Sequence, residues 1–152
     1  MKRGLLPVML IALLVFISCE KDKDDSLDVI ASEAWEVVLD LGAGAGDWEL
    51  TLLSDSTITV AGNWEYNIAD LSITCPFTNG TATVVDNELT FAASGTASNG
   101  FQNSSFELMV SGTAEAGEGN GFYSLSFDNE YWPENVTGIW AGDLVEGGGV
   151  TE

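Results

Sequence analysis

From Trp35 onward, apolar residues return at every second position in one short run after another, and no segment beyond Cys19 carries a helical period. Trp35, Val37, Leu39 and Leu41 alternate with Glu36, Val38 and Asp40. Trp48, Leu50 and Leu52 alternate with Glu49, Thr51 and Leu53, and Ile58 and Val60 lead into Trp64 and Tyr66. The same period organises Leu89–Ala93, Phe106–Val110, Tyr123–Phe127 and Trp140–Leu144. Successive side chains of a strand point to opposite faces, so this pattern describes half-buried β-strands.

Turn chemistry separates the runs. Ala43–Asp47 is rich in glycine, and Ser54-Asp55-Ser56, Asn79-Gly80, Asp86-Asn87, Asn99-Gly100 and Gly117–Gly121 follow. Asp86-Asn87 fits a two-residue hairpin turn with both residues at positive φ. Gly80-Thr81-Ala82, Gly95-Thr96-Ala97 and Gly112-Thr113-Ala114 recur at near-even intervals, which suits successive hairpin strands in which glycine permits a bulge or sharp coil. Parallel pairs need crossovers of about a dozen residues, and none is visible. The expected fold is therefore all-β, an antiparallel meander of eight or nine strands. That many strands must close or split into two layers. A small β-barrel, which removes the edges, is favoured over a β-sandwich.

The charge distribution restricts the chemistry. The four basic residues are Lys2, Arg3, Lys21 and Lys23, and the chain has no histidine. Of its 24 Asp and Glu, four (Glu20, Asp22, Asp24 and Asp25) precede Ser26, leaving 20 in the remainder. Nucleic-acid binding needs Lys and Arg against phosphate, so no nucleic-acid partner is expected. Histidine acid–base chemistry, Schiff bases and intradomain salt bridges are likewise out of reach. Uncompensated charge repels itself, so added salt is expected to raise the melting temperature. Cys75 has no cationic neighbour to lower its pKa and is expected to be a small buried hydrophobe.

The N-terminus is of another kind. Lys2 and Arg3 precede an apolar run, Leu5–Ile17, that is shorter than the roughly 20 residues of a membrane-spanning helix. A positive start, a short apolar core and a small residue describe a secretory signal. The run ends Phe16-Ile17-Ser18-Cys19, which resembles the bacterial lipobox. By that resemblance Cys19 is the lipidation site, joined to a diacylglycerol, and the partner is a membrane held through the lipid anchor. An ordinary signal peptide with an incidental cysteine, or an uncleaved signal anchor, are the alternatives. Glu20–Asp25 reads EKDKDD, a solvated tether with nothing to pack. It resembles the acidic export signal of surface-displayed lipoproteins of Bacteroidota. The expected organisation is a signal peptide at 1–18, the lipid-bearing cysteine and acidic tether at 19–32, and one all-β domain at 33–152. The expected location is the outer membrane, lipid-anchored and surface-exposed, with periplasm-facing retention as the alternative.

Trp64-Glu65-Tyr66, Asn79-Gly80-Thr81-Ala82-Thr83 and the tail Gly138-Ile139-Trp140-Ala141-Gly142 with Gly147-Gly148-Gly149-Val150-Thr151 are similar to small β-rich lipoproteins of Bacteroidota, some described as lipocalin-like. The resemblance implies a barrel with a ligand-binding or surface role. Unlike true lipocalins, this chain has its Gly-x-Trp (Gly138-x-Trp140) in the last strand, with no Arg to cover the Trp.

Candidate sites follow from residue type. Trp35, Trp48, Trp64 and Trp140 fall on strand faces and are expected in the core. Tyr131-Trp132-Pro133 lies in an apparent loop beside Glu130 and Glu134. Exposed rings there would stack on a sugar, and the competing reading is a plug over one barrel end. Asp86-Asn87-Glu88 and Asp128-Asn129-Glu130 offer oxygen ligands suited to calcium, without EF-hand or β-roll spacing. With so many carboxylates, some pair will match a glycosidase separation by chance, and no catalytic residue is assigned. Asp25-Ser26-Leu27 and Asp55-Ser56-Thr57 resemble a Bacteroidota O-glycosylation motif, and Asn79, Asn103 and Asn135 head Asn-x-Ser/Thr triplets; all are taken first as turn residues. The expected role is non-catalytic and needs no cofactor. It is a binding module for a glycan, lipid or small apolar ligand, or else a structural or adhesive protein acting through protein contacts.

Overall fold

The computed structural model describes residues 27–40 and 43–145. Eight strands, β1 (Val29–Leu39), β2 (Gly44–Leu53), β3 (Ile58–Ile68), β4 (Leu71–Val85), β5 (Glu88–Ser98), β6 (Asn103–Glu115), β7 (Glu118–Phe127) and β8 (Asn135–Leu144), pair in chain order. β8 returns to β1, so the sheet is a closed antiparallel meander barrel. β1 opens at Val29, ahead of the expected domain start at 33. The leader, Cys19 and the tether as far as Ser26 lie outside the described residues, as do Leu41, Gly42 and the tail from residue 146, whereas Val29–Ser32 of the expected tether belong to β1.

The alternating pattern sorts cleanly. Its apolar phase turns inward, and Trp48, Trp64, Trp140, Phe106, Ile73, Leu89, Leu108 and Leu125 are fully buried. Trp48 stacks on Trp64 with ring centroids 5.8 Å apart and meets Phe91 and Trp140 edge-on at 5.0 and 5.2 Å. Such pairs contribute about 0.5–1.5 kcal/mol each beyond the area they bury. Glycines make room for the indoles. A Cβ on Gly119 would lie 2.9 Å from Trp140 and 3.2 Å from Trp35, and one on Gly46 would lie 3.1 Å from Trp64. The lumen is thus a packed core. The outward positions carry mostly Glu, Asp, Ser and Thr, the reverse of a lipid-facing barrel wall.

The connections are tighter than the glycine clusters suggest. Asp86 and Asn87 take φ of 50° and 67°, the mirror-image turn expected of them. Asn79-Gly80, expected as a turn, lies inside β4. The β3–β4 register shifts between Val60 and Gly62, where Thr78 and Asn79 both face out, so the pair forms a bulge. Gly44–Asp47 and Glu118–Gly121 also belong to strands rather than to turns. The chain reverses just ahead of each: the Ala43 N–H donates back to the Asp40 carbonyl, and Ala116-Gly117 turns at positive φ. Ala69 and Ala116, at φ 51° and 56°, hold left-handed turn positions usually left to Gly or Asn.

Candidate functional site

A meander places alternate turns at opposite ends, and this decides what the candidate residues can do together. Asp86-Asn87-Glu88 sits at the β4–β5 turn, whereas Asp128-Asn129-Glu130 sits in the β7–β8 loop at the other end. The two tripeptides therefore cannot share an ion. Asn87 uses its carbonyl to accept from Ala114 N at 2.8 Å, and Asn129 turns its Oδ1 to its own loop, accepting from Tyr131 N at 2.9 Å. Among the described residues, no group of three or more His, Cys, Asp or Glu is arranged to hold a metal.

The same loop separates the expected aromatic pair. Trp132 is buried and meets Phe127 edge-on at 5.2 Å, closing that end of the barrel, while Tyr131 stays 75 % exposed. Trp132 is the plug and not half of a sugar platform. Glu130 and Glu134 remain outside with Tyr131. Cys75 is fully buried opposite Trp64, and burial pushes its thiol up to about 12. Tyr123 is also raised to about 12, by burial first and then by the charges of Asp40 and Tyr66. Glu33 points inward near one barrel end. Burial raises its pKa, and the Trp35 indole N–H, short of full hydrogen-bond geometry, offsets part of that rise.

What the sequence did not single out lies on the outer wall. Gly138, Tyr123, Val110 and Phe91, each directly opposite the next, form the floor of a groove of about 790 Å³ running across the strands. One side is the row Thr83, Thr90, Ser111, Phe122 and Ile139, each directly opposite the next from β4 to β8. The other is the row Thr81, Ala92, Met109, Ser124 and Thr137. Phe122 and Met109 are 69 % and 64 % exposed, and Ile139 is half exposed. Asp40, at the β8 end, is the only carboxylate of the described lining, and its Oδ1 accepts from Ile139 N at 3.2 Å. The signal was present in the pattern: Met109, Phe122 and Ile139 are large apolar residues on the polar phase of their strands.

A second groove, of about 660 Å³, crosses the seam between β7 and β3. Its wall is the row Glu118, Asp143, Glu36, Asp47 and Asn63, again each directly opposite the next. Four successive carboxylates stand at cross-strand distance with no Lys, Arg or His among the described residues. Like charges so placed destabilise a sheet.

No protein-family model, no curated protein and no solved structure matches this chain.

Proposed function

We propose that this chain is a non-catalytic, lipid-anchored envelope protein, displayed from the outer membrane through Cys19, that acts as a binding module through the outer wall of its barrel. The observation that carries the binding role is the long groove over β4–β8, whose side chains are hydroxyls and exposed apolar groups, backed by a lumen already filled with indole and phenyl rings. Apolar side chains left in water along one groove mark interaction surfaces. The filled lumen argues against an internal lipid or small-molecule site of lipocalin type. Anchoring is supported by the lipobox resemblance, and surface display by the acidic tether that follows it.

Two experiments test this role. Metabolic labelling with a radioactive fatty acid should mark the wild-type chain and not Cys19→Ala; equal labelling removes the anchor. Native mass spectrometry of the chain, purified without refolding, should show no tenaciously held small molecule. An extra mass that leaves only on denaturation would return the site to the lumen.

A structural or adhesive role is the second reading. It is favoured by the exposure of Val38, Met109, Phe122 and Ile139, which would then meet another protein.

A further inference from the structure

We propose that the groove over β4–β8 seats an extended, uncharged glycan, a run of β-linked hexopyranose units lying across the strands. This rests on the binding-module reading above and names its ligand class. Charge selects against ionic occupants. The described lining has no cation and one carboxylate, Asp40, at its end, in a protein whose formal net charge is −20. An anionic chain would be repelled by the rest of the molecule, and a cationic one would go to the row of carboxylates at the seam. The occupant favoured by this groove is neutral.

The walls pair hydroxyls with an apolar surface. Thr81, Thr83, Thr90, Ser111, Ser124 and Thr137 line the groove. Of these, only Ser124 spends its hydroxyl on another described residue, Asn135, whose Oδ1 lies at 3.2 Å. A pyranose presents hydroxyls at its rim and C–H bonds on its faces, so it meets both kinds of wall at once. Phe122 supplies the ring against which a sugar face stacks, and Met109 stands diagonal to it on the opposite wall.

The groove also has a period. Wall residues recur at the strand spacing of about 4.8 Å, and five strands give a groove roughly 19 Å long. An extended peptide advances by about 3.4 Å per residue and falls out of step with that spacing. A β-1,4-linked pyranose unit advances by only a little more than the strand spacing, so successive sugars meet equivalent wall positions.

Met109 gives the test a reporter, since the other methionines are Met1 and Met9, far from the groove in sequence. The full chain, labelled with ¹³C-methyl methionine and held in a non-glycosidic detergent, is titrated with cellohexaose, mannohexaose and hexa-N-acetylchitohexaose, and with β-1,4-linked hexamannuronate as the charged control. At least one neutral hexasaccharide should move the Met109 methyl signal, and hexamannuronate should not. Phe122→Ala should weaken binding about tenfold, and Thr90→Val several-fold, with melting temperatures unchanged; Ile139→Ala stands in if Phe122→Ala does not fold. Binding seen by calorimetry that leaves Met109 still and ignores these variants overturns the groove. Silence of Met109 toward every neutral sugar at millimolar concentration overturns the glycan. In that case phenol separates the two ideas. A Met109 shift with phenol, lost in Phe122→Ala, keeps the outer wall as a binding surface with another ligand class, and no shift removes the binding-module reading as well.

Discussion

The two grooves of the outer wall are made in the same way and differ in every property that matters for recognition. Each runs across strands between two rows of outward side chains. Over β4–β8 the rows hold Thr, Ser, Met and Phe, whereas over the seam they hold Glu118, Asp143, Glu36 and Asp47. Their floors differ as well. The seam groove has Gly46, Gly119 and Gly142 beneath it, because Trp35, Trp64 and Trp140 or Val37 occupy the space where their side chains would be. The proportions reverse in the hydroxyl groove, where Phe91, Val110 and Tyr123 fill the lumen themselves and Gly138 alone is a glycine, as Val37 alone among the seam floor carries an inward side chain. The outer relief of a small barrel is thus coupled to how its core is filled.

That coupling is broken most severely from inside. Trp48→Ala removes the ring that touches Trp64, Phe91 and Trp140, and should cost about 3–5 kcal/mol in urea unfolding. A loss well under 1 kcal/mol would show that the indoles do not form one packed cluster. Alkali should act on the same core. Cys75 and Tyr123 have folded pKa values near 12, raised from 9.0 and 10.0, so the unfolded chain gives up these protons first. Their stabilising contribution is whole below pH 9 and is lost as the pH climbs toward 12. Midpoints that stay flat from pH 9 to 11 would contradict this burial.

Gly119→Ala pushes a methyl toward Trp140 and Trp35 and should cost about 1–3 kcal/mol while leaving the Met109 methyl signal in place. If that signal moves as far as signals at the seam, the two grooves are one mechanical unit. Asp47→Asn removes one charge from the row and should stabilise by roughly 0.2–1 kcal/mol, with the gain shrinking as salt rises. A destabilised variant would mean that the carboxylate has a partner worth more than the repulsion. Phe122→Ser should change stability least, within about 0.5 kcal/mol, since its ring is mostly in water. A large loss there would make Phe122 a structural residue and remove its claim to a ligand.

How much of this was legible depends on whether the controlling physics is local. The period-two runs fixed strand faces because alternation is a property of the strand itself, and Trp35, Trp48, Trp64 and Trp140 went inside as expected. Asp86-Asn87 announced its turn because its residue types tolerate positive φ. Asn79-Gly80 carried the same signature, yet Gly80 pairs with Val60 and Asn79 joins Thr78 in a bulge, since the long pairing of β3 with β4 outweighed the local preference. Ala69 and Ala116 carried no signature at all. Their left-handed turns exist because the strands on either side are already paired. Tyr131 and Trp132 looked alike, and only the closing of the barrel end against Phe127 separated plug from exposed ring.

Residue order alone determined the strand faces, the absence of cations from the domain and the chemistry that this absence removes, because each follows from composition or from a two-residue period. Tertiary structure decided which outward residues became neighbours. Phe122 stands beside Ser111 and Ile139, and Glu36 beside Asp47 and Asp143, through register between strands distant in sequence, and register is set by the shared packing of the core rather than by any one segment.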